Sequence, residues 1–501
     1  MQKSALLKLL ALVLAMLMMT TLIVGCGGKV TDTSEFIEDS EEEEDFDDEG
    51  DIEYTGDDSS VSQQGSHEIG SKQTGGSKQL GDHKAATGGS AQGGLVYSEN
   101  ESVFENVPAN LKGKEVIVAS WSADDSDAIK VRQMFTSKTG IKVKNIQYNE
   151  AKYITDVATQ IAAGSSPDIV TCNSTFPACL EITQPLPKIF DINDGFWDKR
   201  CSEATRVGKN YYYVNAINSH STGGYAIYYN KKIYNNNGLT SPEDYYDQGN
   251  GHWSYEQLYT AMQDAAKLGY NGGILECLTL AGQMGVSLIN YNQNTGEFSA
   301  QASNQDLIDA LQYMAKAVDE GLAGGYGISS FASGRIGICM AGMWGTRSNG
   351  YFKDMSPSDI GIVPCPDQYK GKKLEYMPLG YNGVGIAKGA RNPEAAYYWA
   401  RWSRDLDKYD DAGANLYANK VLEKYVRGTQ LVLFQNSKLY FEFYQGALNM
   451  IGKGWSSASE WSALRHASVS QVAVELAARE NLLKSAAETS TKKLKEYTAA
   501  K

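Results

Sequence analysis

The sequence predicts an α/β fold divided into two lobes, and three observations carry that prediction. Strand and helix patterns alternate through residues 115–170, the order that builds a parallel sheet. The alternation resumes at Tyr225 and runs to the helix that follows Ala387. The region from Leu111 onward spans about 390 residues, more than one hydrophobic core ordinarily organises.

Glu115 to Ser120 reads as a buried strand, with Asp124 or Asp125 placed to cap the helix after it. Ala128, Val131 and Phe135 form that helix's apolar stripe, and Gly140 stops it. Ile141, Val143 and Ile146 mark a second strand. Ile154, Val157 and Ile161 mark a second helix ending at Gly164, and Pro167 to Val170 enters a third strand. Tyr225–Tyr229 is a strand, Asn230 to Gly238 a polar helix and turn, and Trp253 to Leu268 a helix. Leu307, Leu311, Met314 and Val318 give an amphipathic helix over 306–322. Residues 336–340, 360–363 and 384–387 read as strands, and Asn392 with Pro393 reads as a helix cap and first helical position. Residues 467–497 are mostly helical, and no internal repeat is visible.

The N-terminus is of another kind. Lys3 and Lys8 precede an apolar run from Leu9 that continues to Val24, and Ile23-Val24-Gly25-Cys26 puts small residues before a cysteine. Residues 1–25 read as a secretory signal whose ending resembles a lipobox, which implies cleavage before Cys26 and lipid attachment to its thiol. An uncleaved membrane anchor is the alternative, since the stretch is near the lower length limit for spanning. Residues 31–60 hold sixteen Asp or Glu and no Lys or Arg, and residues 61–95 are rich in Gly, Ser and Gln with nine glycines. Such segments bury too little apolar surface to fold, so 26–110 is expected to be a disordered tether. A flexible chain of about 80 residues reaches roughly 50 Å.

The net charge of −14 lies almost wholly in that acidic run, which leaves the rest near neutral and without the basic excess that nucleic-acid binding needs. Seven cysteines occur. Beyond Cys26 none shows CxxC spacing, and Cys277 and Cys339 sit in apolar runs that suit small buried hydrophobes, so free thiols are expected. Cys172 and Cys179 are the one close pair, and their state stays open. The five histidines, at 67, 83, 220, 252 and 466, are scattered, which argues against a metal-ion cargo.

Four stretches carry a resemblance: Gly140-Ile141-Lys142-Val143; residues 161–170, Ile-Ala-Ala-Gly-Ser-Ser-Pro-Asp-Ile-Val; Tyr228-Tyr229-Asn230-Lys231-Lys232 leading to Asn237-Gly238-Leu239, Pro242 and Trp253; and residues 331–344, Phe-Ala-Ser-Gly-Arg-Ile-Gly-Ile-Cys-Met-Ala-Gly-Met-Trp. In this order and spacing the chain, over about 111–501, resembles the family 1 extracellular solute-binding proteins of bacterial ABC importers. An insertion around Tyr245 to Gly251 departs from the family pattern and leaves that loop uncertain. The resemblance implies a two-lobe, periplasmic-binding-protein-like (type II) fold with a hinge and an interlobe cleft. The first lobe would hold 111–217 plus 334–388, and the second 218–333 plus 389–501. It also implies a monomeric, lipid-anchored extracytoplasmic protein. Such a protein uses no cofactor, is not an enzyme and passes a solute to ABC permease subunits.

In open α/β sheets ligands bind at the carboxyl ends of strands, and the lobes close by hinge motion. Trp121, Asp124 and Asp125 follow the first strand, and Asn173 and Ser174 follow the third. Tyr213 and Asn215 lie near the expected first hinge crossing. Trp344 ends the strand begun at Ile336, with Arg347 nearby; Tyr381 and Asn382 precede another strand; Trp455 sits in a late loop. Rings, amides and carboxylates of this kind suit the apolar faces and hydroxyl rims of a sugar, so an oligosaccharide is the expected solute. Trp253, Trp399 and Trp402 are expected to be structural.

Rival readings come from other classes. A secreted glycan hydrolase would need a carboxylate pair that spacing alone does not exclude, although no GxSxG, HExxH or P-loop occurs. Asp191-Ile192-Asn193-Asp194-Gly195 opens like a calcium loop, but its glycine comes one position early and no Glu stands at position 12, so a turn is expected. A lipoprotein that presents solute to a signalling receptor would have the same sequence features.

Overall fold

The computed structural model describes residues 101–122, 124, 126–173, 175–217, 219, 225–275, 278–323, 329–342, 345, 352, 354–379, 382–405, 408, 438–441, 444–451 and 463–499. The chain divides into two units, residues 1–88 and residues 89–501. The first unit, with Cys26 and the expected signal and most of the tether, lies outside the described residues.

The described part of the second unit opens with the short helix α1 (Glu101–Glu105) and then three parallel strands. α1 corrects the expected disorder of 26–110 at its end, since Phe104 is buried and meets Trp402 edge-on at 5.0 Å. These are β1 (Glu115–Ser120), β2 (Lys142–Gln147) and β3 (Ile169–Asn173), linked by α2 (Ser126–Thr139) and α3 (Tyr153–Ala162). Gly140 and Gly164 adopt φ of 74° and 75° where the two helices end, the left-handed stop that glycine tolerates best. β2 exposes Lys142 and Lys144, charges that suit an edge strand. The sheet is extended by β15 (Asn382–Ala387), antiparallel to β3 with Asn382 opposite Asn173, and beyond it by β4 (Thr183–Gln184) and β5 (Tyr213–Val214). α4 (Lys199–Ala204) precedes β5.

Asp168, 2% exposed, organises this sheet. Its carboxylate accepts hydrogen bonds from the amides of Ile117 (2.9 Å) and Asn392 (2.7 Å). Asn392 does not cap the helix α11 (Pro393–Arg404) through its side chain, as expected; that amide donates to the carbonyl of Glu115 at 2.8 Å. The helix is anchored by burial instead. Trp399 and Trp402 meet Phe135 at ring distances of 5.2 and 5.7 Å, and the Trp402 indole N–H donates to Val131.

The second sheet has the order β11-β6-β10-β7, from β11 (Ile360–Pro364), β6 (Tyr225–Asn230), β10 (Ile336–Gly342) and β7 (Asn271–Ile274). Every residue of β10 is buried, as in a strand covered on both faces. Asn230 caps α5 (Lys231–Asn236), while Ser241 and Ser254 form capping boxes on α6 (Pro242–Gln248) and α7 (Tyr255–Lys267). Next come α8 (Thr279–Gln283), the hairpin β8 (Ile289–Asn292) with β9 (Glu297–Ala300), α9 (Gln305–Asp319) and α10 (Ser329–Ala332). After β11, the hairpin β12 (Gln368–Tyr369) with β13 (Lys372–Lys373) leads to β14 (Tyr376–Leu379). β14 pairs in parallel with β16 (Lys438–Phe441). The chain ends in α12 (Tyr444–Asn449), α13 (Val472–Ala478) and α14 (Glu480–Ala499), the last packed on β9.

Two lobes around two sheets match the expected class, but strand placement corrects the expected boundaries. Residues 336–342 and 360–364, assigned to the first lobe, form half of the second sheet because both strands pair with β6. α11, assigned to the second lobe, belongs to the first because its tryptophans fill the core beside α2.

Candidate functional site

The carboxyl ends of β1 and β3 lie side by side, and side chains of the second βα unit hold the loop after β1. Trp121, the first residue of that loop, is partly exposed, its ring edge-on to Tyr153 at 5.1 Å; Tyr148 meets Tyr153 at 5.9 Å. The loop is pinned through its backbone: Gln147 donates to the Trp121 carbonyl at 3.3 Å, and Asn145 donates to that of Ser122 at 3.2 Å. Tyr153 ties the two strands, since its hydroxyl donates to the Ala119 carbonyl (2.8 Å) and accepts from the Thr171 amide (2.9 Å). Burial pushes the Tyr153 phenol far up, so the group stays a neutral donor. The Tyr148 phenol is pushed up by burial and by Asp156, and it bonds Gln160.

Asp124 is exposed and paired with Arg132 at 2.6 Å, and it also accepts from the Asn145 amide at 2.9 Å. It braces the loop, and one oxygen is already shared between two donors. The pairing of Asn173 with Asn382 brings two predicted segments together at the end of β3. Tyr213 and Asn215 are corrected. They are 0% and 1% exposed, because β5 is buried against β15; the Tyr213 hydroxyl donates to the Cys179 carbonyl at 3.2 Å, and the Asn215 carbonyl accepts from the Asp198 amide. Asp125, Ser174, Trp344, Arg347, Tyr381 and Trp455 lie outside the described residues, as do the side chains of Asn173 and Asn382. Tyr148 and Tyr153 escaped the sequence reading. Tyr148 directly follows β2 and Tyr153 opens the second helix, and no local pattern marked either.

A cavity of about 710 Å³ lies elsewhere, beside α4 at the far edge of the first sheet from β2, where β8, β14 and β16 approach it. Arg200, Glu203, Tyr291, Tyr376, Tyr440 and Phe441 are among its lining residues, and no predicted site residue is. Its polar groups have internal partners: Arg200 with Asp198 at 2.7 Å, Glu203 with Tyr211 at 2.6 Å, and Tyr440 with Asn290 at 3.1 Å. Among the described residues no cluster of three or more His, Cys, Asp or Glu could hold a metal ion, and no helix is long and apolar enough to cross a membrane. Asp191 and Asp194 serve a turn, accepting from the amides of Asn193 and Phe196.

Residues 117–404 match the family model described as bacterial extracellular solute-binding protein. No curated protein matches the chain. Among solved structures, a solute-binding protein from Thermotoga lettingae bound with α-D-tagatose is 17% identical, covering 76% of this chain and 100% of that one with a TM-score of 0.53. The galacto-N-biose/lacto-N-biose I-binding protein of Bifidobacterium longum is 13% identical over 78% and 99%, with a TM-score of 0.54. The GacH receptor of Streptomyces glaucescens, solved with acarbose, is 16% identical over 77% and 98%, with a TM-score of 0.51.

Proposed function

Because the chain belongs to the bacterial extracellular solute-binding protein family, we propose that its solute is an uncharged oligosaccharide, held between the lobes and handed unchanged to an ABC permease. The observation that carries the sugar is the Trp121 ring at the end of β1, partly exposed and backed by Tyr153 and Tyr148. A flat aromatic face presented from a rigid strand end suits the apolar face of a pyranose. Structural neighbours solved with tagatose, lacto-N-biose and acarbose support the same class.

In this reading Trp344, Arg347, Tyr381, Trp455, Asn173, Ser174, Asp125 and Asn382 supply the remaining contacts, while Tyr213 and Asn215 act as core. The first lobe takes 101–217 with 382–404, and the second takes 225–379 with 438–499. Cys26 carries the lipid and residues 26–100 form the tether. The protein works as a monomer and catalyses no reaction.

Calorimetry across neutral oligosaccharides, amino acids and polyamines tests this. One glycan should bind with 1:1 stoichiometry and be recovered intact by chromatography. Binding confined to amino acids or polyamines would overturn the sugar; a shortened glycan would overturn the non-catalytic role.

A further inference from the structure

Cys172 is the fourth residue of β3, fixed opposite Gly383, and Cys179 sits in the helical turn Ala178–Glu181 a few residues on. Both are fully buried, and their sulfurs stand 3.5 Å apart, in van der Waals contact. Thr175 lies between them, its carbonyl accepting from the Cys179 amide at 3.0 Å and its hydroxyl 3.6 Å from the Cys172 sulfur. In sequence the two cysteines bracket Asn173 and Ser174, proposed ligand contacts. A disulfide bond is about 2.05 Å long, so closing this contact needs a shift of about 1.5 Å, within reach of a side-chain torsion change and a small adjustment of the turn.

We propose that Cys172 and Cys179 form a disulfide that fixes the loop after β3. The family places the chain outside the reducing cytoplasm, where disulfides persist. The reaction is thiol–disulfide exchange. Two S–H bonds are lost and one S–S bond forms, while a disulfide oxidant of that compartment takes up two electrons and two protons and leaves as two thiols. Burial pushes the Cys179 thiol well up, which makes that thiol a poor nucleophile once folded, and both sulfurs are closed off from solvent, so the bond forms while the chain folds.

No Lys or Arg lies between Lys152 and Lys188, so trypsin releases both cysteines on the single peptide 153–188. The test is to denature the full chain from cells in N-ethylmaleimide without reductant and to weigh that peptide. It should carry no maleimide and be lighter than the dithiol by two hydrogens; prior reduction should let it take two maleimides. Two maleimides without reduction, or a bond from either cysteine to another peptide, would overturn the assignment. For the constraint on the loop, reductant should lower the melting temperature of the native protein by a few degrees and leave the Cys172→Ser/Cys179→Ser double variant unmoved. Equal shifts in both proteins would overturn the constraint.

Discussion

Trp121 and Tyr153 touch through the faces and edges of their rings, yet their removal should be read in different experiments. Trp121 is partly exposed and its polar partner, Gln147, binds its backbone, so truncation removes little that holds the lobe together. Trp121→Ala should weaken binding of the glycan found by calorimetry about tenfold or more, the loss of one stacked ring, with an unfolding midpoint close to native. Tyr153→Phe keeps the ring and deletes the hydroxyl that joins Ala119 to Thr171. That leaves the Thr171 amide without this acceptor and should cost about 1–2 kcal/mol in urea unfolding while changing affinity less. Unchanged affinity in the first variant would remove Trp121 from the site. The place of Trp121 at the end of β1 was legible because it follows a strand directly. Tyr148 and Tyr153 were not, since nothing in a local pattern says that the second βα unit turns its aromatic residues toward the first loop. Tyr213 and Asn215 were misread because a short aromatic run near a crossing looks like an exposed rim, and only the pairing of β5 with β15 shows it to be core.

The elements themselves were mostly legible, because strand and helix periods are local. β1 is observed at its expected bounds, and the glycine stops at 140 and 164 fall where expected. Which sheet a strand joins is a non-local matter. The runs at 336–342 and 360–364 are buried throughout, so their pattern does not distinguish one lobe's core from the other's. β15 illustrates how tightly the pairing then fixes sequence. A Cβ on Gly385 would stand 2.7 Å from the Tyr212 carbonyl oxygen and 2.8 Å from the Tyr213 ring. The backbone oxygen belongs to the chain running beside β15 and cannot rotate away. Gly385→Ala should therefore destabilise the first lobe by about 1–3 kcal/mol in chemical denaturation, the usual range for overpacking a filled core. A stability equal to native would mean that β5 can separate from β15 at little cost.

At the scale of the whole molecule, the folded body and the sequence ahead of it differ sharply in composition. The described residues contain no helix long and apolar enough to cross a membrane, and the proposed attachment is through the N-terminal segment. Two physical routes exist there: an uncleaved apolar run over residues 9–24, or a lipid on Cys26. The acidic residues of 31–60 carry like charge, which repels within the segment and from anionic headgroups. Either route gives a membrane-bound protein, so fractionation alone does not separate them; the chemistry at the cysteine does. Cells fed a clickable fatty acid should label the native chain, and the Cys26→Ser variant should take up none. The labelled mature protein should lack residues 1–25 by mass. An unlabelled native chain that retains residues 1–25 would establish the apolar run as the anchor.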